Sequence, residues 1–101
     1  MTDDGVMSGW TYIVTNRPRG VLYVGVTSDL VRRVHEHREG TVEGFSSRYR
    51  LTRLVLAEQH PTIAYAIRRE KNLKRWPRQW TIDLIEASNP DWRDLWEDIH
   101  A

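Results

Sequence analysis

The rhythm of apolar and polar residues changes several times along the chain, and each change marks an element. Trp10 to Asn16 is a run of aromatic and β-branched residues, the composition of a strand. Arg17-Pro18-Arg19-Gly20 is a turn cluster, and Val21 to Val26 reads as a second strand, close enough to pair with the first as a hairpin. Gly25 inside that strand is unusual, because a strand glycine marks a bulge or a point where something approaches the backbone closely. Thr27, Ser28 and Asp29 offer N-caps for a helix running to about Glu39, with Leu30 and Val34 on its inner face and Gly40 as its stop. Residues 41–50 read as a basic, aromatic-bearing loop, and Leu51 to Gln59 as a third strand.

Helices dominate the rest. Pro61 suits the first turn of a second helix that runs to about Arg75 and is ended by Pro77. Gln79 to Ala87 predicts a third, short helix with Trp80, Leu84 and Ile85 on one side. After Asn89-Pro90, the residues Trp92, Leu95, Trp96 and Ile99 recur at i, i+3, i+4 and i+7, the spacing of a fourth helix. The order ββα then βααα predicts an α+β fold: a small three-stranded antiparallel sheet, made of the hairpin and a third strand, flanked by helices. Residues 1–8 have no period and read as a flexible N-terminus, which leaves residues 9–99 as a single domain.

Composition narrows the chemistry. The 101 residues are 40% hydrophobic and include five tryptophans, enough apolar material for one core and too much for a wholly disordered chain. The absence of cysteine excludes disulfides, Cys-ligated zinc, iron–sulfur clusters and thiol catalysis. No run approaches the roughly 18 apolar residues of a membrane span, and no signal peptide is evident, so the expectation is a cytoplasmic protein with no membrane contact. The net charge of +1 hides an asymmetry: residues 17–78 carry fourteen Lys or Arg against six Asp or Glu, whereas residues 79–101 carry six acids against Arg93. Thirteen of the fifteen basic residues are arginine, which binds phosphate bidentately. A basic centre of this kind suggests a polyanionic partner, and a solvated surface with uneven sequence order is the plainer alternative.

Several polar residues fall where the periods ask for apolar ones. Glu70 lies on the stripe of Ile63, Ala66, Ile67 and Leu73. A carboxylate there must be paired, ligate a metal, or stand at the mouth of a cleft; Arg69, Lys74 or a distant arginine would serve as a purely structural partner. Arg33 and His37 sit one turn apart beside the inner face of the first helix. Surface charge and a satisfied, partly buried imidazole are their ordinary explanations. His35 projects elsewhere, and Arg32 faces solvent or nucleic acid. Tyr12 and Tyr23 lie mid-strand in the hairpin, able to face one another across the sheet, although each alone is an ordinary core tyrosine.

At these positions the sequence resembles the GIY-YIG nuclease family. Trp10-Thr11-Tyr12 stands where the family has Gly-Ile-Tyr, and Tyr23-Val24-Gly25 stands for Tyr-Ile-Gly. Arg33, His37 and the Arg69-Glu70…Leu73-Lys74 helix follow in the family's order, and Asn89 occupies the place of its asparagine while also sitting before Pro90 as a helix N-cap. The tail, from Leu84-Ile85-Glu86 to Leu95, resembles a compact single-domain bacterial branch, similar to the nuclease module of the excinuclease subunit UvrC. The first signature departs from the pattern, lacking its glycine and isoleucine, and the basic residue some members carry after the second signature is replaced by Val26 and Thr27.

The resemblance implies an endonuclease that hydrolyses phosphodiester bonds in DNA, with RNA not excluded, using Mg²⁺ or Mn²⁺ held by Glu70. It implies a catalytic set of Tyr12, Tyr23, Arg33, His37, Glu70 and Asn89, with Tyr12 preferred as general base and Tyr23 holding the phosphate or a metal-bound water. Arg32, Arg48, Arg50, Lys71, Lys74, Arg75 and Arg78, with Tyr49, Arg53 and Arg68 beside them, would track phosphates. Such contacts are sequence-blind, so any preference is expected to be for nucleic-acid structure, or to be delegated to a targeting protein. The competing expectation is a catalytically weak or inactive nucleic-acid-binding module, or a protein-interaction module that docks through an exposed Trp92/Trp96 helix.

Overall fold

A computed structural model of the chain describes residues 8–41, 44 and 48–100. The hairpin forms as its composition predicts, from β1 (Gly9–Thr15) and β2 (Leu22–Thr27), and is followed by α1 (Leu30–Glu39). Then come β3 (Arg53–His60), α2 (Ile63–Arg75), α3 (Arg78–Ser88) and α4 (Trp96–His100). The three strands form one antiparallel sheet in the order β2-β1-β3. The predicted α+β architecture is therefore the observed one. The proposed flexible terminus at residues 1–8 lies, except for Ser8, outside the described residues, as does part of the 41–50 loop.

The helix ends follow from local chemistry. The Asp29 side chain accepts the amide of Arg32 and caps α1, and Gly40 closes it in the left-handed conformation at φ 73°. Thr62 caps α2 through the amide of Tyr65, so Pro61 precedes the cap instead of entering the first turn.

The pleat sends alternate residues of β1 to opposite layers. Tyr12 and Val14 pack with Leu30 and Val34 of α1 and with Leu51 and Leu54. Ile13 packs on the other face with Val55, Leu56, and Ile82 and Ile85 of α3. The α2 helix lies on that second face too, where the Thr11 hydroxyl donates to the Ala66 carbonyl at 2.8 Å. Pairing slips by one residue between Ile13/Val14 and β3, a bulge that turns Val55 and Leu56 into the same core.

Two expectations change at the C-terminal end. The Trp92-Leu95-Trp96-Ile99 pattern is not one helix, because its residues serve two cores. Trp92 is buried in the α3 layer, whereas Leu95, Trp96 and Ile99 pack in the α1 layer. The chain crosses the outer edge of β3 between them: the Leu54 amide donates to the Asp94 carboxylate, and the Leu95 amide to the Leu54 carbonyl. Only Trp96–His100 is helical. Trp80, expected on the packed side of α3, is 57% exposed, since that helix buries Thr81, Ile82 and Ile85 instead.

Gly25 has the close neighbour that a strand glycine signals. It pairs with Tyr12, and a Cβ built on it would overlap the Cζ and hydroxyl of that tyrosine. Gly25→Ala is therefore expected to push the Tyr12 ring off β2 and to cost about 1–3 kcal/mol, the usual penalty of overpacking. Chemical denaturation checks this; an unchanged midpoint would mean that the ring does not depend on the glycine.

Candidate active site

Tyr12 and Tyr23 project from the same face of the hairpin, but not directly opposite one another. Tyr12 pairs with Gly25 and Tyr23 with Val14, so the two phenols are offset diagonally. His37 of α1 fills the space between them. Its ring lies 5.5 Å from that of Tyr12 and 5.4 Å from that of Tyr23, edge-on to both. His37 is 2% exposed, and its Nε2 is 2.9 Å from the Tyr12 hydroxyl.

Arg33, one turn before His37, hydrogen-bonds the Tyr12 oxygen and is held by the Glu36 carboxylate at 3.1 Å. Guanidinium groups only donate. The phenol oxygen therefore accepts from Arg33, and it shares a second hydrogen bond with His37 Nε2. Charge follows the same logic. Burial, reinforced by the positive charge of Arg33, pulls the His37 pKa down from 6.5 to about 4, so the ring is neutral at neutral pH. Burial also pushes the Tyr12 phenol up from 10.0 to about 12, against the hydrogen bond from Arg33. The Arg33 guanidinium in turn has its pKa raised, first by the Tyr12 hydrogen bond.

Arg33 opens onto a pocket of about 280 Å³ lined also by Thr27, Asp29, Arg32 and Glu36. Glu36 joins Arg32 at 3.3 Å as well as Arg33, and those arginines hold its carboxyl below the usual carboxylate range. Sequence reading passed over this carboxylate, although its spacing of three and four residues from the two arginines is the ion-pair spacing of a helix.

Glu70 lies in the other layer. Its side chain is 13% exposed and pairs with Lys74 at 2.6 Å. At the free edge of β2 a cleft of about 340 Å³ is lined by Leu22, Tyr23 and Val24 of that strand and by Leu73, Lys74 and Trp76. Glu70 is a single hard oxygen donor, and no group of three or more His, Asp or Glu residues that could hold a metal occurs among the described residues. That donor set fits Mg²⁺, which keeps several waters and takes one or two carboxylates together with substrate phosphate oxygens.

The remaining expected residues divide into committed and open ones. Asn89 is buried and fully engaged: its amide donates to the carbonyls of Val55 and Arg93, and its oxygen accepts the Arg93 amide. It ends α3 and shapes the crossing to α4 instead of capping a following helix. Arg78 donates to the carbonyls of Arg19 and Gly20 at 2.6 and 2.7 Å, clamping the hairpin turn. Arg38 is held by Asp94 at 2.8 Å and lies over Trp96. Arg48, Arg50, Lys71 and Arg75 are exposed, and Arg32 keeps 75% of its side chain exposed while paired with Glu36.

Comparison with known proteins points to one family. A model of the GIY-YIG catalytic domain matches residues 8–83. UPF0213 proteins from several Staphylococcus aureus strains are 33% identical over 67 residues, 66% of this chain and 82% of theirs. Their names state no activity. The solution NMR structure of a UPF0213 protein from Bacillus halodurans shares the fold, with a TM-score of 0.54 at 24% identity over 87% of this chain and 93% of that one.

The depressed His37 pKa has a consequence for stability. The folded value lies below the unfolded one, so an unfolded chain takes up the proton first as pH falls. This contribution is complete above about pH 6.5 and is lost as pH drops towards 4, with a slope of at most about 1.4 kcal/mol per pH unit. An NMR titration should place the His37 midpoint near 4. A midpoint at 6 or higher would mean that the imidazole is solvated and not lodged between the phenols.

Proposed function

The chain belongs to the GIY-YIG family of nuclease catalytic domains, and from that premise we propose that it is a metal-dependent endonuclease of DNA. We propose further that residues 9–99 are one catalytic domain and that it selects nucleic-acid structure, not sequence. The observation that carries the reading is the guanidinium of Arg33, which lines an open pocket beside a buried phenol that is itself hydrogen-bonded to the His37 imidazole. Core packing does not call for that combination, whereas in-line displacement at phosphorus does.

In this mechanism the scissile phosphate displaces Glu36 from Arg33, and the guanidinium neutralises the charge that builds on the phosphoryl oxygens. Water forms the new P–O bond as the bond to the departing 3′-oxygen breaks. Tyr23, less buried than Tyr12 and part of the lining of the cleft at the β2 edge, takes the proton from that water. Tyr12 is 1% exposed and its phenol is pushed up to about 12. Burial thus reverses the preference that sequence reading gave it, and Tyr12 becomes the positioning residue, accepting from Arg33 and hydrogen-bonded to His37. Glu70 would hold Mg²⁺ or Mn²⁺, which when bound supplies positive charge to the non-bridging and leaving oxygens. Asn89 acts at a distance, by holding the crossing that covers β3. Arg32, Arg48, Arg50, Lys71 and Arg75 supply the sequence-blind grip, with Lys74 tied to Glu70 and Arg78 to the hairpin turn.

Single-turnover cleavage across pH tests these roles, with circular dichroism as the folding control. Glu70→Ala should abolish cleavage while DNA binding persists. Arg33→Ala should lower turnover far more than affinity. Tyr23→Phe should remove the rising alkaline limb, and Tyr12→Phe should lower the rate but keep the limb. A limb still climbing above pH 10 and abolished by Tyr12→Phe would exchange the two roles. Full Mg²⁺-dependent activity in Glu70→Ala would end the metal-ligand assignment.

A further inference from the structure

The surface left unexplained by folding lies beyond the β2 cleft. Trp80 is 57% exposed on α3, and it stands edge-to-face against Trp76, with ring centres 5.9 Å apart and planes at 75°. Trp76 is half-buried, carries the Arg69 guanidinium 5.1 Å from its ring centre, and lines the same cleft as Tyr23 and Lys74. Lys71 and Arg75 are exposed one turn apart on the helix that ends at Trp76. A lone exposed apolar residue needs no explanation. Here, however, an indole with a free face is joined through a second indole to the cleft of the reactive phenol, and exposed cations stand alongside.

We propose that Trp80, supported by Trp76, is a stacking platform for an unpaired nucleobase flanking the scissile phosphate. The inference rests on the nuclease reading and deepens it by naming the form of substrate that reaches the site: a strand whose bases are unstacked on one side of the cut. The cations track the backbone, and the indole takes the base whatever its identity, because every base has a π face. A base held in a duplex is stacked on its neighbours and has no face to offer. The platform therefore favours single-stranded, flapped or locally opened substrates over continuous duplex. The chemistry is common to DNA and RNA.

The test measures binding in EDTA, where cleavage cannot contribute. Fluorescein-labelled (dT)₁₂ is compared with an abasic oligonucleotide of equal length and with a duplex, by anisotropy and by quenching of intrinsic tryptophan fluorescence. Wild-type protein should bind (dT)₁₂ about tenfold or more tighter than the abasic strand, with quenching. Trp80→Ala should bring the two affinities together and remove most of the quenching, and Trp80→Phe should keep most of the preference. Circular dichroism excludes misfolding, which the exposure of Trp80 makes a minor concern. Equal binding of base-bearing and abasic strands by wild type would overturn the platform and leave a purely electrostatic surface. So would a preference untouched by Trp80→Ala, or an absence of DNA binding, which would turn the exposed indoles towards a protein partner. If stacking is found but no substrate is cut, the platform stands and the nuclease reading fails; if substrate is cut but Trp80→Ala behaves as wild type throughout, only the platform fails.

Discussion

The pairing of Tyr12 with Gly25 across the hairpin is the constraint on which the candidate site depends. With no side chain at Gly25, the Tyr12 ring lies down across β2, and its hydroxyl meets His37 and Arg33 of α1. Any larger residue would lift the ring and take the hydroxyl away from both. The same placement leaves the next same-face position of β2 to Tyr23, so His37 finds a phenol on either side. One missing Cβ thus couples the register of a hairpin to the positioning of a guanidinium on a separate helix.

Electrostatics then separate the roles of four neighbouring groups. In a nearly dry site beside a permanent cation, an imidazole remains neutral and a phenol remains protonated. Both effects leave Arg33 as the group that carries full charge towards the pocket, with Glu36 as its resting counter-ion. Glu36 is a surface pair open to water and salt, of the kind that contributes little to stability. An arriving phosphate can therefore replace it without dismantling the fold.

The strong charge asymmetry of the chain resolves partly within the structure. Acids of the C-terminal third come back to arginines of the basic middle: Glu86 holds Arg19, and Asp94 holds Arg38. Arg69 is taken by Glu58, and Arg78 by two turn carbonyls. These arginines fasten turns and helices to the sheet. Among the described residues, Lys71 and Arg75 remain exposed on α2 and Arg48 and Arg50 ahead of β3, a smaller basic surface than the sequence suggests.

The sequence alone determined what depends on near neighbours: the hairpin, the capped first helix, the order of strands and helices, and the anomaly at Gly25. It also marked Tyr12, Tyr23, Arg33 and His37, because a period of two along a strand and of 3.6 along a helix puts them on faces that can meet. Only the tertiary structure decided partners that are distant in the chain. It assigned Trp92 and Trp96 to opposite cores, left Trp80 in solvent, satisfied Asn89 with carbonyls of β3 and of its own turn, and spent Arg78 on the hairpin turn. It also set Tyr12 deeper than Tyr23, although as mid-strand tyrosines of one hairpin they look alike. The reason is physical: periodicity orients a side chain relative to its own element, whereas burial, pKa and hydrogen-bond partner depend on which other element packs against it.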